Sequence, residues 1–138
     1  MTDYRSTGTA TGTGAVATDE TGSLIAASKV EGTRVYNRRG ENLGSIYDVM
    51  IDKVSGQVAY AVMSFGGFLG MGESYHPLPW KVLTYDTAQG GYVVDLDKER
   101  LQGAPRYTND QLPNWSDRGY LRGIDDYYGV PPYGGGLL

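Results

Sequence analysis

The run from Arg34 to Phe65 constrains the fold of this chain more than any other part of the sequence. Three stretches rich in β-branched and aromatic residues follow one another there, and short segments containing glycine with asparagine or serine separate them. Consecutive stretches of this kind, with turn residues between them, are typical of antiparallel strands. We predict that this run forms the first half of a small β-barrel.

Further strand-like stretches follow the first three, again separated by turn residues. Several short strands at regular spacing are typical of an all-β barrel or sandwich. We therefore predict an all-β fold with a six-stranded sheet. The predicted strands cover residues 33–37, 43–52, 57–65, 73–80, 82–86 and 91–96.

Three features predict how these strands are arranged. The stretch 57–65 is apolar at both odd and even positions, so we expect both of its faces to be covered. Pro77 and Pro79 carry no backbone N–H, which places their strand at a sheet edge or a strand end. Gly56 allows the positive φ that the preceding hairpin turn commonly requires.

The composition excludes several classes of site. The chain has 138 residues, no cysteine, one histidine and a net charge of −4. Without cysteine there is no disulfide framework, thiolate nucleophile or thiolate metal site, and a single histidine cannot form a multi-histidine metal site within one chain. The mild negative charge lacks the basic footprint typical of nucleic-acid binding. We expect no cofactor, no metal site and no nucleic-acid partner.

The ends of the sequence differ from its middle. Residues 1–23 are rich in threonine and glycine and offer few side chains for a core, so we predict a disordered tail there. The first residues lack the pattern of a secretory signal, and no segment is apolar for long enough to span a membrane. We expect a soluble cytoplasmic protein with a barrel domain over residues 24–106 and an extension over residues 107–138.

The extension is aromatic and carries a helical pattern. Asp97 is a suitable cap for a single helical turn ending at Gln102, and Ser116 is a possible cap for a second helix. A helix this short is not stable alone and must dock either on its own barrel or on a neighbouring subunit. We expect a homodimer in which this segment crosses or braces the interface. The candidate docking residues are Tyr120, Leu121, Ile124 and Tyr128.

The polar residues do not form an obvious catalytic set. Asp48 and Asp52 are four residues apart on one strand, about 13 Å at the rise of a strand, which is too far for a carboxylate pair. His76 is interpreted as a structural or surface residue, with ligand binding as the alternative. Trp80 is interpreted as the anchor of one end of the barrel, with ligand stacking as the alternative. We predict that the protein is not an enzyme.

The glycine-rich segment from Gly66 to Gly72 contains apolar residues that a solvated loop rarely carries. Either these side chains fold back to plug one end of the barrel, or they form an exposed tip for a partner. A phosphate-binding loop is disfavoured because no Lys-Ser or Lys-Thr pair follows. The candidate contacts for a protein partner are Phe68, Leu69 and Met71.

Four motifs in this order resemble those of the PRC-barrel domain family: Gly44–Asp52, Ser55–Val62, Phe65–Gly70 and Pro77–Trp80. The resemblance covers roughly residues 27–106. It implies a six-stranded β-barrel that serves as an interaction module, without shared catalytic residues.

The family includes the cytoplasmic domain of the photosynthetic reaction centre H subunit and the C-terminal domain of the ribosome-maturation protein RimM. This chain lacks the membrane span of the first and the preceding barrel of the second, so it is most similar to stand-alone bacterial members. The leading hypothesis is a non-enzymatic adaptor or scaffold with an unidentified protein partner. The alternative is a small-molecule or ion-binding barrel that uses His76 and Trp80. A ribosome- or RNA-associated role is the third hypothesis.

Overall fold

A computed structural model of the chain describes residues 19–66 and 73–133. The chain divides into two compact units, Met1–Glu31 and Gly32–Leu138. In the first unit, helix α1 spans Ala27–Val30. The Lys29 ammonium lies 3.9 Å from a carboxylate oxygen of Asp19 and 3.9 Å from one of Glu20. Most of the predicted disordered tail, residues 1–18, lies outside the described residues.

The second unit is built on one six-stranded sheet, so the predicted six strands are confirmed. Its order is β4-β3-β2-β1-β6-β5, and every pairing is antiparallel except that of β1 with β6. Because a 3-10 turn occupies Trp80–Val82, β5 begins at Thr84, two residues later than the predicted stretch 82–86. The strands are β1 Arg34–Tyr36, β2 Asn42–Ile51, β3 Val58–Gly66, β4 Glu73–Pro79, β5 Thr84–Asp86 and β6 Gly91–Val93.

The predicted closed barrel is not observed. Within the described residues the sheet is open, with β4 at one edge and β5 at the other. The outer edge of β4 is already occupied, because Tyr75 and Tyr107 exchange two backbone hydrogen bonds of 2.9 Å. Pro77 and Pro79 have no N–H to offer a further strand, and the prediction that they mark an edge is confirmed.

Strand β3 is covered on both faces, as its apolar pattern predicts. Consecutive residues Tyr60, Ala61, Val62 and Met63 are all buried, although their side chains point alternately to opposite faces. One face forms the core of the sheet, and the other is covered by the C-terminal segment. The largest buried side chains of the second unit include Val35, Leu43, Ile46, Met63, Leu78, Leu101 and Ile124.

Two helices follow the sheet. Helix α2 spans Lys98–Gln102, and Asp97 caps it by accepting a hydrogen bond of 2.7 Å from the Arg100 amide, as predicted. Helix α3 spans Arg118–Tyr128 and contacts β4 of the same chain. The predicted cap Ser116 is wrong by one residue, because the Asp117 carboxylate accepts from the amides at the start of α3.

Candidate functional site

The apolar segment predicted to contact a partner connects β3 to β4. The last residue of β3, Gly66, is paired with the first residue of β4, Glu73. Phe68, Leu69 and Met71 lie between them, outside the described residues. Their role as protein contacts therefore stays a prediction.

His76 is buried in the core, with 0 % of its surface exposed. Its ring meets the Phe65 ring edge-on at 5.6 Å between centroids, and its Nε2 lies 3.4 Å from the Ser74 hydroxyl oxygen. Its Nδ1 has no hydrogen bond of normal geometry among the described residues, although the Pro105 carbonyl lies near enough to oppose deprotonation. Burial, helped by the charge of Arg106, lowers the pKa of His76 to about 4. The imidazole is therefore neutral near pH 7 and has no surface open to a ligand.

This burial makes the stability of the fold depend on pH. The ordinary pKa of His76 is 6.5, so the unfolded chain takes up a proton at a higher pH than the folded chain does. Stability is therefore fully present above pH 6.5 and falls as the pH drops from 6.5 towards 4. We expect the protonation of this residue to lower the free energy of unfolding by roughly 2 to 3 kcal/mol between about pH 7.5 and about pH 4.5.

Urea unfolding of the wild type and of His76→Gln at both pH values measures this effect. Glutamine stays neutral, so the free energy of unfolding of the variant should fall by roughly 2 to 3 kcal/mol less than that of the wild type. Carboxylates titrate in both proteins and cancel in the comparison. Equal pH dependence in the two proteins would contradict the assignment.

Trp80 lies half-buried at the start of the 3-10 turn that follows β4. Its ring meets the Tyr92 ring edge-on, with 5.3 Å between centroids, and Tyr92 in turn packs on Tyr85 at 5.1 Å. Trp80 therefore joins β4 to the β5–β6 hairpin through aromatic packing. The ring of His76 faces a different neighbour, Phe65, inside the core.

The four residues predicted to dock the extension all lie on α3. Ile124 is fully buried, Leu121 is half-buried, and the Tyr120 ring packs edge-on against Trp115 with 5.7 Å between centroids. Burial raises the pKa of Tyr120 to about 12 and raises that of Tyr128 further. In the described structure the helix packs on β4 of its own chain.

Apolar side chains are exposed along β2 and at the turn that follows it. Tyr47 and Ile51 on β2 are 50 % and 51 % exposed, and Val54 in the turn to β3 is 96 % exposed. The Tyr47 ring also packs on Tyr75 with 4.6 Å between centroids, which fixes part of this surface. We call Tyr47, Ile51 and Val54 the β2 surface.

A pocket of about 240 Å³ lies between the β2–β3 turn, the end of β4 and the C-terminal segment. Asp125 of α3 lies in its wall and is only 2 % exposed. The Tyr60 hydroxyl donates to both Asp125 carboxylate oxygens, at 2.9 and 3.0 Å, and the Tyr133 amide donates at 2.8 Å. Sequence reasoning missed this pocket, because Asp125 and Asp126 look alike in the sequence and only their different burial separates them.

The C-terminal segment is also held at its outer end. The Tyr133 hydroxyl donates a hydrogen bond to an Asp52 carboxylate oxygen. Asp52 also accepts hydrogen bonds of 2.9 Å from the amides of Val54 and Ser55. The bond from Tyr133, followed by these two, holds the pKa of Asp52 below its usual value. Asp52 therefore anchors residues 129–133 over the β2–β3 turn.

The match to a known family agrees with this geometry. A sequence model described as the PRC-barrel domain matches residues 23–101, which is more than half of the chain. The chain belongs to the PRC-barrel domain family. No curated protein matches the chain.

The PRC-barrel match ends within α2, so α3 and residues 129–133 lie outside it. The pocket therefore combines PRC-barrel residues such as Tyr60 with C-terminal residues such as Asp125. Within residues 19–66 and 73–133, no helix has the length and apolar character needed to cross a membrane. The same residues contain no group of three or more histidine or acidic side chains arranged to hold a metal ion.

Proposed function

We propose that this PRC-barrel protein is a non-enzymatic adaptor or scaffold that binds another protein and forms a homodimer. Membership of the family suggests a protein-interaction module. The observation that supports the proposal is the β2 surface, because three apolar side chains there face solvent although β2 also supplies Leu43 and Ile46 to the core.

The energetics of the β2 surface favour a contact with another protein. Burying one aliphatic or aromatic side chain of this size contributes about 1.5 to 3 kcal/mol. Val54 lies at the tip of a turn in which three backbone amides donate hydrogen bonds to Asp52, two of them to its carboxylate. Because the turn is already ordered, little conformational entropy is lost when a partner covers Val54. The predicted contacts Phe68, Leu69 and Met71 are a second candidate surface for the same partner.

Affinity capture from the native cell tests the proposal with two variants. We expect Ile51→Ser combined with Val54→Ser to reduce recovery of the partner about tenfold or more, since two apolar contacts are lost. The triple change of Phe68, Leu69 and Met71 to serine tests the second surface in the same way. Sedimentation of the wild type at micromolar concentration measures the homodimer.

The matched control is Lys53→Ser combined with Gln57→Ser, which changes two exposed polar residues of the same turn. Thermal unfolding confirms that each bait is folded. Unchanged recovery with both apolar variants would refute the adaptor proposal at these surfaces. A monomer in sedimentation would refute the homodimer.

A further inference from the structure

The pocket at the C-terminal segment contains a buried carboxylate without a cation. Asp125 has no ion pair among the described residues, whose ion pairs involve Asp19, Glu20 and Asp95 instead. Buried charges in proteins are normally paired, because an unpaired charge costs several kcal/mol in a medium of low polarity. Within the described part of the chain, the donors to the Asp125 carboxylate are neutral: the Tyr60 hydroxyl and the Tyr133 amide.

The carboxylate borders the pocket rather than a filled core. The pocket volume of about 240 Å³ is open to a small group, and its wall combines polar residues with two tyrosines and three prolines. The Tyr60 and Tyr133 rings meet edge-on with 5.9 Å between centroids, so two aromatic rings stand beside the carboxylate. Tyrosine faces attract cations, and rings combined with a carboxylate are a common way to bind an amine. The prolyl part of the wall comes from Pro79, Pro131 and Pro132.

The charges around the pocket favour a single added cation. Asp125 and Asp52 carry two negative charges, and Lys81 carries one positive charge. Lys81 is exposed and forms no ion pair with Asp125 in the described structure. The Asp52 carboxylate is occupied by Tyr133 and by the turn amides. The free capacity for a positive charge therefore lies at Asp125.

The hydrogen bonds of Asp125 also select the shape of the cation. Both carboxylate oxygens already accept from the Tyr60 hydroxyl, which is unfavourable for the planar two-point fork of arginine. A compact ammonium group needs only one remaining lone pair. We propose that this pocket binds the ammonium group of a lysine side chain presented by a protein partner. That the lysine belongs to a protein partner rests on the proposed adaptor function. The binding of an alkylammonium group in the pocket does not rest on it.

An NMR titration with Nα-acetyl-lysine methylamide tests the pocket on the full chain. We expect shifts of the Asp125 and Tyr133 amide signals, and binding at least about tenfold tighter than that of the neutral Nε-acetylated probe, since only the charged probe pairs with Asp125. Lys81→Met should tighten binding about threefold, because it removes a like charge from the rim. Asp125→Asn keeps an acceptor for Tyr60 and should weaken binding about tenfold.

Several outcomes would overturn the proposal: no shift with the charged probe, equal binding of the neutral probe, or unchanged binding after Lys81→Met. Tighter binding of the corresponding arginine probe would overturn the choice of lysine. If Asp125→Asn fails to fold, the neutral probe and Lys81→Met still decide the result. The capture experiment on the β2 surface reports separately, so failure of the pocket and failure of the adaptor proposal are distinguishable.

Discussion

Replacing Gly44 with alanine is expected to lower the free energy of unfolding by about 3 to 5 kcal/mol. Gly44 lies in β2 directly against β3, and a Cβ added there would overlap the carbonyl oxygen of Ser64. It would also lie 3.2 Å from Cγ of Met63, a buried core side chain. The overlapping atom belongs to the backbone, so no side-chain rotation relieves the contact. Strands β2 and β3 must therefore move apart at this point. Urea unfolding measures the resulting loss of stability.

Gly123→Ala is the matched control for this substitution. Gly123 lies within α3, and an added Cβ meets no atom within 4 Å. Alanine is a better helix former than glycine, so this variant should be more stable by up to about 1 kcal/mol. The same chemical change thus has opposite signs at the two positions. A Gly44→Ala protein as stable as the wild type would contradict the observed β2–β3 contact.

Truncating Ile124 to alanine is expected to cost about 2 to 5 kcal/mol of stability. Ile124 has no exposed surface and lies on the helix that contacts β4, so the change leaves a cavity between α3 and the sheet. Because α3 covers the face of β3 that carries Tyr60, we also expect loss of near-UV circular dichroism from the packed aromatic rings. Thermal and urea unfolding measure the change in stability.

Arg122→Ala is the control in the same helix. Arg122 is exposed, and arginine and alanine both favour helices, so this variant should stay within about 0.5 kcal/mol of the wild type. A loss for Ile124→Ala as small as that for Arg122→Ala would show that α3 does not dock on the sheet in solution. Such a result would favour docking of α3 on a neighbouring subunit, the other possibility that its sequence leaves open.

The secondary structure was largely predictable because its signals are local. The alternation in β2, the turn before β3 and the Asp97 cap each depend on residues a few positions apart. The open sheet was not predictable in the same way. At its β4 edge Tyr75 pairs with Tyr107, and nothing in the sequence near either residue indicates that pairing.

The candidate sites were less predictable than the fold. His76 and Trp80 are only four residues apart in the sequence, in β4 and just after its end. His76 nevertheless lies in the core, whereas Trp80 packs on Tyr92. Helical spacing marked Ile124 as a docking candidate, and Ile124 is fully buried in the structure. The same pattern did not distinguish Asp125 from any solvated acid.

The sequence alone determined that the run from Arg34 to Phe65 forms consecutive strands. The signals for strands are the alternation of side chains between two faces and the turn residues, and both involve residues close together in the chain. Only the tertiary structure decided what covers those strands. Tyr60 and Asp125 are 65 residues apart, and their hydrogen bond forms because α3 docks across β4. A contact over that distance depends on how complete elements pack together, and apolar burial drives that packing without specifying which polar groups it brings together.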